Sequence, residues 1–194
     1  MKEKNVWYDI CKIIYIPLLK ILFRPKAYGK ENIPKEGRLI FAGNHRHAVD
    51  PVVVMSNTKR KVHFMAKESL FKGFHGWIFK KIGLIKVHRN RVENANSVKV
   101  AEEILNNNGT IGIFPEGTRN RTENDLLKFK EGAVKISKNT NSKIIPFAIS
   151  GKYRLFRKGL EIEFGKPIEI NDMEIEEANE KLENEVLKLY KRKW

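Results

Sequence analysis

The sequence predicts an α/β domain built on a mixed, largely parallel sheet flanked by helices, and three observations predict it. From Arg38 onward, short apolar runs alternate with segments whose apolar residues recur at helical spacing. Asn, Asp, Gly and Pro punctuate those runs where strands and helices must turn. The chain has 194 residues, 41% hydrophobic and 31% charged, which suits one sizeable core and leaves little for a second.

Taken in order, Val6 to Phe23 reads VWYDICKIIYIPLLKILF, nearly continuous apolar text carrying Asp9, Lys12 and Lys20. At 100° per residue these three fall on a narrow polar stripe, so a helix here has a very wide apolar face. Three charges and Pro17 disfavour a spanning helix and favour one lying in the membrane interface. Trp7, Tyr8, Ile14, Leu18 and Phe23 are the candidate membrane-associating residues. Residues 1–27 are thus assigned to an amphipathic membrane-associating segment and residues 28–194 to a domain with a C-terminal helix. The alternative for the helix is ordinary packing on the domain.

RLIFAG at 38–43 reads as a buried strand, and Asp50-Pro51 as a helix start in which Asp caps and Pro suits the first turn. Residues 62–66 form a second strand, Phe74 to Lys81 a short helix, and Leu84 to Val87 a third strand. Val98, Ala101, Ile104 and Leu105 give Val92 to Asn107 helical spacing, ended by Asn106-Asn107-Asn108-Gly109. Thr110 to Phe114 is a strand, Gly132 to Asn139 a helix, Lys143 to Ser150 a strand and Glu161 to Phe164 a short one. Ile175, Ala178, Leu182, Val186 and Leu189 share one face of a helix over Met173 to Tyr190.

The formal charge of +15 implies an anionic partner: nucleic acid, an anionic membrane surface or a small phosphorylated molecule. The excess is uneven. Residues 171–194 hold seven acidic and five basic residues, whereas Lys59 to Arg91 holds ten Lys or Arg against Glu68 alone. Phe71, Phe74, Trp77 and Phe79 among those lysines resemble a nucleic-acid surface in composition, but no finger or RNA-recognition signature accompanies them. With Cys11 as the single cysteine and no secretory signal pattern, a peripheral position on the cytoplasmic face of the cell membrane is expected.

Two loops carry the chemistry. NHRHAVDP, Asn44 to Pro51, follows the first core strand at its carboxyl end, where open α/β sheets place ligand groups. If the intervening residues turn, Asp50 reaches His45, holds one ring nitrogen and leaves the other free to take a proton from a hydroxyl. IGIFPEGTRNR, Ile111 to Arg121, follows another strand: Gly117 permits close approach, Thr118 offers a hydroxyl and Arg119 suits a phosphate. At the level of residues other readings stay open. Asp50 can be a cap and His45 a satisfied polar residue; His45, His47 and Asp50, with His63, His75 or His88, can bind zinc in a hydrolase; and the basic surface can belong to a non-catalytic membrane- or nucleic-acid-binding protein.

Four blocks, Asn44-His45 through Asp50-Pro51, Lys67-Glu68-Ser69-Leu70-Phe71 running on to Val87-His88-Arg89, Phe114-Pro115-Glu116-Gly117-Thr118-Arg119, and Ile144-Ile145-Pro146, are together similar to the glycerolipid acyltransferases marked by a His-x-x-x-x-Asp motif, and within them to the 1-acyl-sn-glycerol-3-phosphate acyltransferases. The resemblance implies His45 as general base and Asp50 as the residue that orients it. It implies Glu116, Gly117, Thr118 and Arg119 in the acceptor site, with Lys67 and Arg89 as further phosphate contacts. The implied reaction moves a fatty acyl group from acyl-coenzyme A or acyl carrier protein to the sn-2 hydroxyl of lysophosphatidic acid, giving phosphatidic acid. Another lysophospholipid or glycerol 3-phosphate is the alternative acceptor within the class. No metal or organic cofactor is implied, and no nucleic acid. His47 and His88 depart from the residues common at their positions, Ser or Thr and Asp respectively.

Overall fold

The computed structural model describes residues 6–87 and 91–192. A seven-stranded sheet in the order β1-β7-β6-β2-β5-β3-β4 forms its centre. Its strands are β1 (Lys26–Tyr28), β2 (Leu39–Gly43), β3 (His63–Lys67), β4 (Ile85–Val87), β5 (Thr110–Ile113), β6 (Lys143–Gly151) and β7 (Leu160–Phe164). The run from β6 to β4 is parallel throughout; β7 turns back antiparallel to β6, and β1 follows β7 in parallel. The expected mixed, largely parallel sheet is therefore observed. β1 escaped the sequence reading because three residues on an edge carry no usable periodicity.

The helices are α1 (Val6–Phe23), α2 (Asp50–Met55), α3 (Gly73–Lys81), α4 (Arg91–Asn106), α5 (Gly132–Thr140) and α6 (Ile175–Lys191). All five residues of β2 are buried, as expected of a central parallel strand covered on both faces. Its alternation divides the core. Ile40 and Ala42 face α4, α5 and α6 with Leu105, Val134 and Leu182; Leu39 and Phe41 face α1 and α2 with Leu19, Val53 and Phe147. Gly112 in β5 lies against the Phe64 ring, where a Cβ would come within 2.3 Å of a ring carbon.

α1 docks through a narrow seam. Leu19 is buried in the core, and the Tyr8 phenol accepts the Val62 N–H at 3.0 Å. Lys12 extends its amine to the Thr58 carbonyl at 2.7 Å. Burial pushes the Tyr8 phenol up to about 12. Part of the expected polar stripe thus faces the domain, and the wide apolar face, including Trp7, Ile10, Ile13, Ile14, Leu18 and Ile21, is exposed. Tyr8 is a correction to the membrane-associating set, because its ring is 3% exposed and its hydroxyl is used internally. Phe23 is only half exposed and packs edge-on against Tyr153. Among the described residues no helix is long and apolar enough to cross a membrane.

Candidate active site

The loops after β2 and β5 meet over the carboxyl edge of the parallel strands, stitched together through the backbone of His45. Its N–H donates to Glu116 Oε1 at 2.7 Å, and its carbonyl accepts the Asn120 N–H at 2.7 Å. Glu116 accepts the Leu127 N–H on its other oxygen at 2.9 Å. Burial pushes the Glu116 carboxyl above the usual range, while the bonds from His45 and Leu127 oppose that shift. Both Glu116 oxygens are thus engaged by backbone N–H groups, and the side chain pins the two loops together. Asn44, just before His45, mimics a strand bond: its amide donates to the Ile149 carbonyl at 2.8 Å and accepts the Ile149 N–H at 2.7 Å.

His45 and Asp50 do meet. Nδ1 of His45 lies 2.8 Å from Oδ2 of Asp50, which is completely buried, while the His45 side chain keeps 18% exposure. Val49 is the cap of α2 and Asp50 its first residue, so the expectation of Asp50 as a helix cap is corrected. Freed from capping, Oδ2 collects the N–H groups of Arg46 at 2.7 Å and His47 at 2.8 Å, which bends the five-residue link into the turn the dyad requires. Phe114 stacks on the His45 ring at 4.0 Å. With Nδ1 facing a carboxylate the ring's proton is favoured there, which leaves Nε2, without a partner among the described residues, as the nitrogen with the lone pair.

Gly117, Thr118 and Arg119 are exposed on the β5 loop, and Gly117 has φ +69, a left-handed turn that suits glycine. Lys67 is exposed at the carboxyl end of β3. Neither Lys67 nor Arg119 has a hydrogen bond or ion pair with a described residue, so both cations are available to an anion. Arg89 and His88 lie outside the described residues.

Several participants had no assigned role in the sequence. The Lys130 amine sits over Gly117, 2.8 Å from where a Cβ would stand. Arg46 donates to the Tyr190 hydroxyl of α6 and lies over its ring, clamping the histidine loop from the far end of the chain. Tyr153 donates to Asp50 Oδ1 across 103 residues. Position in the NHRHAVDP block marked Asn44 and Arg46; no local pattern marks Tyr153.

Among the described residues the zinc reading finds no cage. His45 is committed to Asp50, the Nδ1 of His47 accepts the Val49 N–H at 3.3 Å, and His63 engages the Gly83 carbonyl at 2.6 Å. Among the described residues no three His, Cys, Asp or Glu side chains gather as a metal site.

A buried carboxylate that holds an imidazole at the carboxyl edge of a parallel sheet is an arrangement suited to a general base. Residues 24–150 match the family model described as Acyltransferase, and the chain belongs to that family. It is 33% identical over 145 residues to a 1-acyl-sn-glycerol-3-phosphate acyltransferase of Borreliella burgdorferi, covering 74% of this chain and 58% of that protein. It is 30% identical over 167 residues to the Bacillus subtilis protein of the same name, covering 83% and 82%. The crystal structure of the 1-acyl-sn-glycerophosphate (LPA) acyltransferase PlsC from Thermotoga maritima shares the fold, with a TM-score of 0.75 at 22% identity over 96% of this chain and 79% of that one.

Proposed function

We propose that the protein transfers a fatty acyl group from an acyl thioester to the sn-2 hydroxyl of 1-acyl-glycerol 3-phosphate, giving phosphatidic acid. The observation that carries this reading is the dyad: His45 tied through Nδ1 to Asp50 with Nε2 open, in a chain similar to proteins named for that activity. Nε2 takes the proton of the acceptor hydroxyl, and the oxygen attacks the thioester carbonyl carbon. Collapse of the tetrahedral species breaks the carbon–sulfur bond, and the imidazolium returns its proton to the departing thiolate. No covalent acyl-enzyme forms, and no metal or organic cofactor takes part. Lys67, Arg119 and Arg89 hold the phosphate. The acyl donor is acyl-coenzyme A or acyl carrier protein.

The enzyme works as a peripheral protein on the cytoplasmic face of the membrane, with residues 1–27 as its membrane-associating segment. Support comes from the exposed apolar face of α1, continued by Trp77 and Phe74 of α3, with Trp7 against Trp77 at 5.0 Å. Leu155 and Phe156, exposed at the turn between β6 and β7, extend it among Lys152, Arg154, Arg157 and Lys158.

The test is a panel of acceptors offered with one labelled acyl thioester. Lysophosphatidic acid should be acylated in preference to glycerol 3-phosphate and to lysophospholipids with larger headgroups, with a chelator having no effect. His45→Ala should lower the rate by about 10²–10⁴-fold, and Arg119→Ala should raise KM chiefly for phosphorylated acceptors. Transfer that survives loss of His45, or stops with chelator, overturns the reading.

A further inference from the structure

Asp50 does not stand on His45 alone. Its Oδ2 takes three donors, the His45 ring and the N–H groups of Arg46 and His47, all from the loop just before it. Among the described residues its Oδ1 takes one hydrogen bond, from the Tyr153 hydroxyl, contributed by the β6–β7 turn. Asp50 is completely buried, and among the described residues no second donor reaches that oxygen to replace the phenol.

The phenol is itself held. Its ring stacks on His47 at 4.2 Å and meets the edge of Phe23 at 5.3 Å. Two residues beyond the neighbouring Arg154, Phe156 adopts a left-handed backbone with φ 59 and donates its N–H to the Leu22 carbonyl, tying the β6–β7 turn to the end of α1. α1 and the turn therefore grip Tyr153 between them, and His47 closes its other face.

We infer that Tyr153 is a positioning residue for the dyad: its hydroxyl fixes the rotation of the Asp50 carboxylate so that Oδ2 stays in line with His45 Nδ1 and Nε2 stays aimed at the acceptor. Burial first, and then the charge of Asp50, push the phenol far above its ordinary range, so it keeps its proton and acts as a donor at every working pH. Among the described residues, the charged and titratable groups bonded around the pair are His45, Arg46 and His47 from the β2 loop, Glu116 from the β5 loop and Tyr153 from the β6–β7 turn. Tyr153 is the one that meets Oδ1. His47 then has a use in this chain, as the stacking partner that holds the phenol in place. The inference rests on the acyl-transfer reading for its kinetic consequence but not for its geometry.

The experiment compares the full chain with Tyr153→Phe, which keeps both ring contacts and removes only the O–H, and with Tyr153→Leu, which removes the stacking as well. Thermal melting and circular dichroism check the folding of each. In Tyr153→Phe, kcat should fall about tenfold with KM for donor and acceptor within about twofold, because the loss acts through the base and not through binding. Independently of turnover, the downfield proton resonance of the His45–Asp50 bond should shift and exchange with water about tenfold faster. Tyr153→Leu should do at least as much. Unchanged kcat and proton resonance in a folded Tyr153→Phe would reduce Tyr153 to packing and overturn the inference. If the wild-type chain shows no acyl transfer, the functional reading fails, and the proton resonance still decides the role of Tyr153.

Discussion

Tyr8 shows how a single residue changes meaning between sequence and structure. Beside Trp7 in an apolar helix it belongs with the lipid-facing set, yet its phenol is buried and satisfies the Val62 N–H. Because burial raises its folded-state value from 10.0 to about 12, the neutral phenol stabilises the fold in full below the unfolded value, and that stability is lost as pH rises through the folded one. Across that window the loss amounts to about 2–3 kcal/mol. Tyr8→Phe is expected to lower stability at neutral pH by about 1–3 kcal/mol, since Val62 keeps a buried donor without an acceptor. It should also flatten the alkaline limb above about pH 10, both measured by urea unfolding against pH. Glu116 likewise gains a part that the loop text did not show, as the pin between two loops that accepts from His45 and Leu127.

At the scale of elements, α1 docks on the domain through one side and carries on the other the apolar face proposed to meet the membrane. Leu19 and Tyr8 dock it as an ordinary helix, while Ile13, 72% exposed, and its neighbours leave a face without a protein partner among the described residues. Truncating the helix would disturb the core, so substitutions on the outer face separate the roles more cleanly. Ile14→Ser with Leu18→Ser should weaken binding to anionic vesicles by about tenfold or more and leave the melting temperature nearly unchanged, as read by vesicle co-sedimentation and calorimetry. Equal binding by the double variant would assign the membrane contact elsewhere. The strands were legible because both faces of β2 and β6 are apolar, and their ends fell within one or two residues of expectation. β1 was not, since its place beside β7 depends on a partner 135 residues away and not on its own three residues.

Across the whole molecule, the uneven charge becomes an orientation. α6, with its acidic residues, packs on the face of the sheet shared with α4 and α5, opposite the face covered by α1 and α2. The apolar face of α1, the aromatic residues of α3 and the basic β6–β7 turn therefore lie away from the acidic helix. In the proposed membrane-bound arrangement an anionic bilayer would be attracted on one side and weakly repelled on the other. Association with anionic vesicles should fall at least about tenfold as salt rises from about 0.05 to 0.5 M, while the residual binding to neutral vesicles, carried by apolar contact, should change little. Salt-independent binding to anionic vesicles would remove electrostatics from the account.

What the sequence determined by itself was whatever is local or periodic: the alternation of strands and helices, the apolar sweep of Val6 to Phe23, and the two loops whose residue types spell out a base, its partner and a cationic turn. The spacing of His45 and Asp50 allowed a dyad without requiring it. Tertiary structure decided that the turn closes, at 2.8 Å, by drawing the Arg46 and His47 amides onto the same oxygen. It also decided which side of α1 docks, that Glu116 faces backbone, and that Tyr153 completes the shell of Asp50. The reason is physical. Periodicity records how a residue relates to its near neighbours, whereas a buried carboxylate must find donors wherever the folded chain brings them, and for Asp50 the last one arrives from a strand connection laid down 103 residues later.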